Sequence, residues 1–348
     1  MEYGIFTPTM NNGWVMSKTS PQFKPDWFLM EQCGAKAEHY GFDFMLAPVK
    51  FRGFDGETEF WNYTLDSFSV MAGLAVSTSR IKLYASIPQL MLPPPVAAKM
   101  AVTINEMSGG RFGVNLVSGW EKEEYLQMGI WPGDEHFKNR YDRASEYLQV
   151  MRELWESGRS DFKGDFYQME DCRLGPTPSS PIEVVCAGQS DRGMQFTAEW
   201  ADYQFLSCKA DPDELRQLNG RLKAASDKTG RKIGSYPLFA VVLRDTDEEA
   251  KAAVDHWRAN QDLDAVQTLG GHASTDSAED QKSIRNQLLG SDAFLIGWDV
   301  IGGSPQTVAD KINALAEVEG TSGIMFTFQD YLVDMDKFGK EVMPLLKH

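Results

Sequence analysis

Eight short apolar runs alternate with longer amphipathic ones along this chain, at Tyr3–Phe6, Asp43–Ala47, Ile81–Ser86, Phe112–Val117, Ile182–Ala187, Asp202–Ser207, Tyr236–Leu243 and Gly323–Thr327. A buried parallel sheet needs strands that are apolar on both faces and crossover helices between them, and the alternation meets both demands. Helices are expected near Asp26–Tyr40, Leu65–Ser77, Pro95–Met107, Arg143–Glu156, Arg192–Trp200, Pro212–Thr229, Asp247–Gln261, Ser304–Val318 and Tyr331–Leu346. Within the eighth, Val308, Ile312, Leu315 and Ala316 recur at the helical period on one face. Eight strand-helix repeats predict a (β/α)8 TIM barrel. A doubly wound open sheet is the alternative that periodicity leaves standing.

A length of 348 residues fits one such barrel, so residues 1–348 are expected to form a single domain. The rhythm breaks twice. Residues 157–181 are rich in turn formers and residues 262–298 are polar and rich in Ser and Asp; both read as insertions of the kind that serve as lids or interface elements. Neither reads as a domain linker, and no internal repeat is visible.

Charge and motif content narrow the function. With 50 acidic against 34 basic residues, a net charge of -16 argues against nucleic acid or an anionic membrane as the main partner. The four cysteines show no C-x-x-C spacing, the start MEYGIF lacks the features of a signal peptide, and no apolar run spans a bilayer. The expectation is a cytoplasmic protein with reduced thiols. Five histidines without metal-ligand spacing make a zinc or iron site an unfavourable reading. G-x-S-x-G, strand-linked G-x-G-x-x-G and P-loop signatures are absent as well.

What remains are candidate ligand contacts at the carboxyl ends of strands, where sites form on this architecture. They are Val49 and Lys50 after the second strand, Ser86 at the third, Asn115 to Trp120 at the fourth and CAGQS, Cys186 to Ser190, after the fifth. Gly188 allows close approach of backbone to a ligand, and Ser190 opens a helix whose free N–H groups suit an anion. An ordinary helix cap is the plainer account of the same residues. Arg140 and Tyr141 offer a guanidinium and a phenol to a phosphate, or are a surface Arg and a half-buried Tyr at a helix start. Asn115 presents an amide among apolar neighbours, and a backbone-satisfied Asn is its bland alternative. Trp120 either walls a flat ligand or fills the barrel mouth, while Lys50 and Glu124 taken singly read as solvated charges.

The words NNGW (11–14), KAEHYGFDF (36–44), TEFWNYTLDSF (58–68), SGGRFGVNLVSGW (108–120), QMGIWPGDEHF (127–137), SDFKGDFY (160–167) and CAGQSDRGM (186–194) together resemble the bacterial luciferase-like flavin monooxygenases, with the pyrimidine monooxygenase branch nearest. The resemblance covers nearly all of the first 205 residues and weakens afterwards. It implies a luciferase-like barrel that binds FMN, receives it reduced from a separate NAD(P)H-dependent flavin reductase, and uses O2 to put one oxygen atom into a small-molecule substrate. In the pyrimidine branch that substrate is uracil or thymine, opened at a ring amide.

Carried across position by position, the resemblance implies FMN contacts at Val49, Lys50, Asn115, Glu124, Arg140, Tyr141 and Ser190. It implies a catalytic ring face formed by Leu46, Ser86, Asn115 and Trp120. Ser86 stands where the branch prefers Thr, and Pro48 where a flexible apolar residue is usual; both departures bear on substrate more than on cofactor. A sulfone or alkanesulfonate monooxygenase, a flavin-binding protein without turnover and a deazaflavin-dependent oxidoreductase are the alternatives on the same barrel. A homo-oligomer is compatible with the sequence but not specified by it.

Overall fold

The computed structural model describes residues 1–276 and 293–347. Eight parallel strands close into a ring: β1 (Glu2–Phe6), β2 (Phe44–Ala47), β3 (Lys82–Pro88), β4 (Phe112–Val117), β5 (Glu183–Ala187), β6 (Tyr203–Ser207), β7 (Gly234–Leu243) and β8 (Gly323–Thr327). Closure runs through β6 to β7, β7 to β8 and β8 back to β1, so the doubly wound alternative is excluded. Each of the eight expected runs lies on one of these strands.

The strands read as nearly continuous apolar runs because both faces are covered. Outside the ring, Ile5, Met45, Leu83, Val114 and Phe326 meet the helices in the larger core. Inside it, Phe44, Tyr84 and Tyr236 fill the lower end: Phe44 stacks on Tyr236 at 4.5 Å between centroids, and Tyr203 stacks on Tyr236 at 4.3 Å. The Tyr84 and Tyr236 hydroxyls are satisfied by Glu183 and Glu2, and Lys82 lies between those carboxylates at 3.0 Å from Glu2 and 3.4 Å from Glu183. With that end plugged, space for a ligand is left at the carboxyl ends of the strands.

Helix starts follow from capping chemistry. Asp26, Asp66, Ser190, Thr246, Ser304 and Asp330 each accept a backbone N–H from the first turn of the helix they precede, which stabilises each start by about 1 kcal/mol. One helix, His136–Ser157, begins seven residues before the expected start at Arg143, and places Arg140 and Tyr141 inside its second turn rather than at its opening.

The two interruptions contain more order than loop composition suggests. Within 157–181, Arg159–Ser160 and Cys172–Arg173 pair as a short antiparallel ribbon. Within 262–298, Leu263–Ser274 is a helix capped by Asp262, a correction to the expectation of a polar loop there; residues 277–292 of that stretch lie outside the described ones. A further strand, Val300–Gly303, was not expected. It pairs with the carboxyl half of β7, which at ten residues projects beyond the ring. No described helix is long and apolar enough to cross a membrane.

Candidate active site

Strand geometry places alternate side chains of β3 and β4 inside the ring, and the register pairs Ser86 directly with Asn115. Asn115 Nδ2 donates to Ser86 Oγ at 2.9 Å, and the Ser86 carbonyl accepts from Ser67 Oγ at 2.8 Å. Asn115 Oδ1 is buried and has no hydrogen-bond partner among the described residues. Turning the amide over would exchange the roles of its two ends but still leave one unmatched, since Ser86 Oγ meets only one of them. A buried polar atom without a partner is uncommon and favours an arriving group that completes it.

That amide faces a cavity of about 180 Å3 at the carboxyl mouth of the barrel. Its walls are aromatic: Trp14, Trp61, Trp120 and Trp298 line it together with Phe6, Phe54 and Phe205. Trp14 is the keystone of this wall. It lies 4.2 Å from Trp298 and 4.9 Å from Trp61 between centroids, and its Nε1 donates to Tyr331 Oη at 2.9 Å. Among the lining residues the polar side chains are Lys50, Ser86 and Asn115. A flat conjugated ligand with a polar edge matches walls of this composition.

Lys50 is 6 % exposed, between the rings of Phe54 and Trp120 at 5.0 and 5.3 Å from their centroids. Its ammonium contacts Glu121 directly and lies 3.6 Å from Glu124. Burial pulls the Lys50 ammonium below its usual range, and the carboxylates of Glu124 and Glu123 oppose that pull. Glu124 also accepts the Phe51 backbone N–H at 2.5 Å, which fixes the turn after β2 against the segment after β4. The other oxygen of Glu121 meets His272 Nδ1 at 2.7 Å.

The remaining candidates form a second group. Tyr141 packs its hydroxyl against Gly188 and Gly193, and Gly188 has φ +137, so neither glycine has room for a β-carbon. Ser190 caps its helix through Oγ, which accepts from Gly193 N at 3.0 Å. Arg140 is buried and paired with Asp276 at 2.8 Å. Gln89 ties this group to the first, donating through Nε2 to the Ser118 carbonyl at 2.7 Å and to the Arg140 carbonyl at 3.0 Å. Gly188 directly follows Ala187, which lines the cavity.

Sorted by position, Val49, Lys50, Ser86, Asn115 and Trp120 share the cavity wall, and Pro48 is beside them. Glu124, Arg140, Tyr141 and Ser190 are buried around it without lining it. Leu46 is fully buried within the ring, in register with Phe6 and Tyr84 rather than on the wall. Glu121 and His272 were not anticipated. Glu121 is hidden in the run EKEE, where nothing distinguishes it from a solvated charge, and His272 lacks any motif.

His136 holds the turn that aims Trp120. Its Nε2 donates to the carbonyls of Ser118 and Gly119 at 2.9 and 3.0 Å, and burial lowers its pKa to about 4, against the opposing effect of those two bonds. No group of three His, Cys, Asp or Glu side chains among the described residues is arranged to hold a metal ion.

The sequence profile of the family described as luciferase-like monooxygenase matches residues 1–322. Proteins named pyrimidine monooxygenase RutA are similar over the whole chain: that of Methylorubrum extorquens strain AM1 is 48% identical over 351 residues, covering 100% of this chain and 96% of the relative. That of Escherichia coli O81 is 47% identical over 350 residues, covering 100% and 92%. Among solved structures, a riboflavin lyase with modified FMN and riboflavin superposes with a TM-score of 0.85 at 19% identity, covering 99% of this chain and 91% of that one. A long-chain alkane monooxygenase gives a TM-score of 0.81 at 20% identity, covering 99% and 90%.

Proposed function

We propose that this chain, which belongs to the luciferase-like monooxygenase family, uses reduced FMN and O2 to oxygenate a pyrimidine such as uracil or thymine and open its ring at an amide bond. The observation that carries the reading is the unpartnered Asn115 amide atom, held by Ser86 inside an aromatic cavity. An amide with both donor and acceptor character matches the alternating N–H and C=O edge of a flavin or a pyrimidine. The names of relatives at 47–48% identity supply the substrate class.

The residues present fit a flavin. Trp14, Trp120 and Trp298 offer faces for a planar ring, Asn115 and Ser86 a polar edge, and Lys50 a desolvated cation. Tyr141, Ser190 and Arg140 are the candidates for the phosphate end. Because Arg140 pairs with Asp276, a phosphate contact there would exchange one anion for another. When bound, the reduced cofactor supplies the electrons and the activation of oxygen, which is why the wall needs neither a metal nor a catalytic histidine.

The protein's own part is to bind, orient and exclude water. The aromatic wall keeps bulk solvent from the reacting atoms, and Asn115, fixed in rotation by Ser86, sets the polar edge of the occupant. Reduced FMN is taken from a separate NAD(P)H-dependent reductase in this reading. A panel of pyrimidines, sulfones and alkanesulfonates, assayed with enzymatically supplied reduced FMN, tests the substrate class. Consumption confined to the pyrimidines is expected; turnover of a sulfone or sulfonate with none of uracil or thymine contradicts the proposal.

A further inference from the structure

Behind Lys50, which lines the cavity, lies a buried ion network. Glu121 is 1 % exposed and divides its carboxylate between two groups: one oxygen contacts Lys50 Nζ, and the other meets His272 Nδ1 at 2.7 Å. The network joins three separate parts of the chain. Lys50 follows β2, Glu121 follows β4, and His272 lies on the helix Leu263–Ser274, whose Leu269 also lines the cavity.

A carboxylate only accepts, so His272 donates from Nδ1 to one oxygen of Glu121 and leaves the other facing Lys50. Burial depresses the pKa of His272, with Lys50 and Arg52 acting in the same direction and Glu123 and Asp55 against it. Glu124, Glu123 and Arg52 also act on Lys50. Of the carboxylates among the described residues, Glu121 alone is in direct contact; Glu124 stands 3.6 Å away and is engaged by Phe51 N.

We propose that Glu121 is a positioning residue: braced by His272, it holds Lys50 protonated and fixed between Phe54 and Trp120, so that the cavity presents a permanent desolvated cation to an anionic occupant. This rests on the flavin reading above. The anion it favours is the reduced cofactor, whose reduced ring carries negative charge at neutral pH. Without Glu121, a buried Lys50 would shed its proton more readily, because burial disfavours the charged form and the nearest compensation is gone.

The test is an anaerobic titration of the full-length protein with reduced FMN, followed by equilibrium dialysis from about pH 7 to about pH 9.5. The wild type should bind with little dependence on pH. Glu121→Gln should lose affinity progressively as pH rises, by on the order of tenfold across that range, as Lys50 titrates. Glu121→Asp, which keeps the charge, should restore the flat profile. A Glu121→Gln variant that tracks the wild type, or that loses the same factor at every pH, overturns the proposal.

If Glu121→Gln does not fold, Lys50→Met decides. A loss on the order of tenfold with no pH dependence supports the cation's role, and unchanged affinity overturns it. Failure of the wild type to bind reduced FMN at any pH overturns the cofactor reading instead, a result distinct from a wild type that binds and a variant that tracks it.

Discussion

Asn115 illustrates how much of the site a single residue type can signal. An Asn in the apolar strand FGVNLV is conspicuous in the sequence, and the structure pairs it with Ser86 and leaves one amide atom unmatched. Asn115→Ala should lower turnover on saturating pyrimidine by on the order of tenfold or more while changing reduced-FMN affinity less, as steady-state kinetics and anaerobic binding would show. The reverse pattern would assign Asn115 to cofactor binding alone. Gly188→Ala should destabilise by about 2–3 kcal/mol in denaturant unfolding, because φ +137 suits no side chain and the Tyr141 hydroxyl occupies the space. Glu121 and His272 were illegible for a physical reason: pairing across 151 positions of sequence leaves no local pattern, and a buried carboxylate looks like a surface one when written as a letter.

His136 adds a pH effect with a definite sign. Its folded pKa of about 4 lies below the value of about 6.5 expected in the unfolded chain, so only the unfolded state takes up a proton between them. Its contribution to stability is therefore complete above about pH 6.5 and is lost as pH falls toward about pH 4. The loss is on the order of 3 kcal/mol. His136→Gln, which still donates to the Ser118 and Gly119 carbonyls, should remove that slope from denaturant unfolding measured between these pH values.

Among the elements, the eight strands were legible because continuous burial on both faces writes itself as apolar runs, and the helices because one buried face writes itself as an amphipathic run. The strand Val300–Gly303 was not, since four residues reading VIGG outside the ring carry little period. The helix Leu263–Ser274 was hidden by its polar flanks, although Asp262 is a good cap. That Asp does more than cap: its carboxylate accepts from Thr58 N at 2.7 Å, from Thr58 Oγ1 at 2.8 Å and from Ala265 N at 3.3 Å, clipping this helix to the loop after β2.

Burial raises the Asp262 pKa, but the bonds from Thr58 and Ala265 outweigh it and hold the carboxyl below its usual value. The clip is then at full strength above the ordinary Asp range and is lost as pH falls through the lower folded value. Asp262→Asn should weaken the protein by about 2 kcal/mol near neutral pH and make its acid unfolding less steep, checked by circular dichroism. An unchanged acid profile would remove the clip from the account.

For the molecule as a whole, sequence, fold and site give one consistent reading. A barrel plugged at one end by Tyr84, Tyr203 and Tyr236 leaves its carboxyl mouth for an occupant, and the mouth is walled for a flat one. The family was readable from words spread over the first 205 residues, while the way Arg140 meets Asp276 and Lys50 meets Glu121 needed the folded chain. The most direct measurement supplies reduced FMN and isotopically labelled O2 to the protein with uracil and analyses the products by mass spectrometry. Uracil should disappear and a ring-opened product should carry oxygen from O2; bound reduced FMN that is oxidised while uracil remains intact and unlabelled would contradict the proposed reaction.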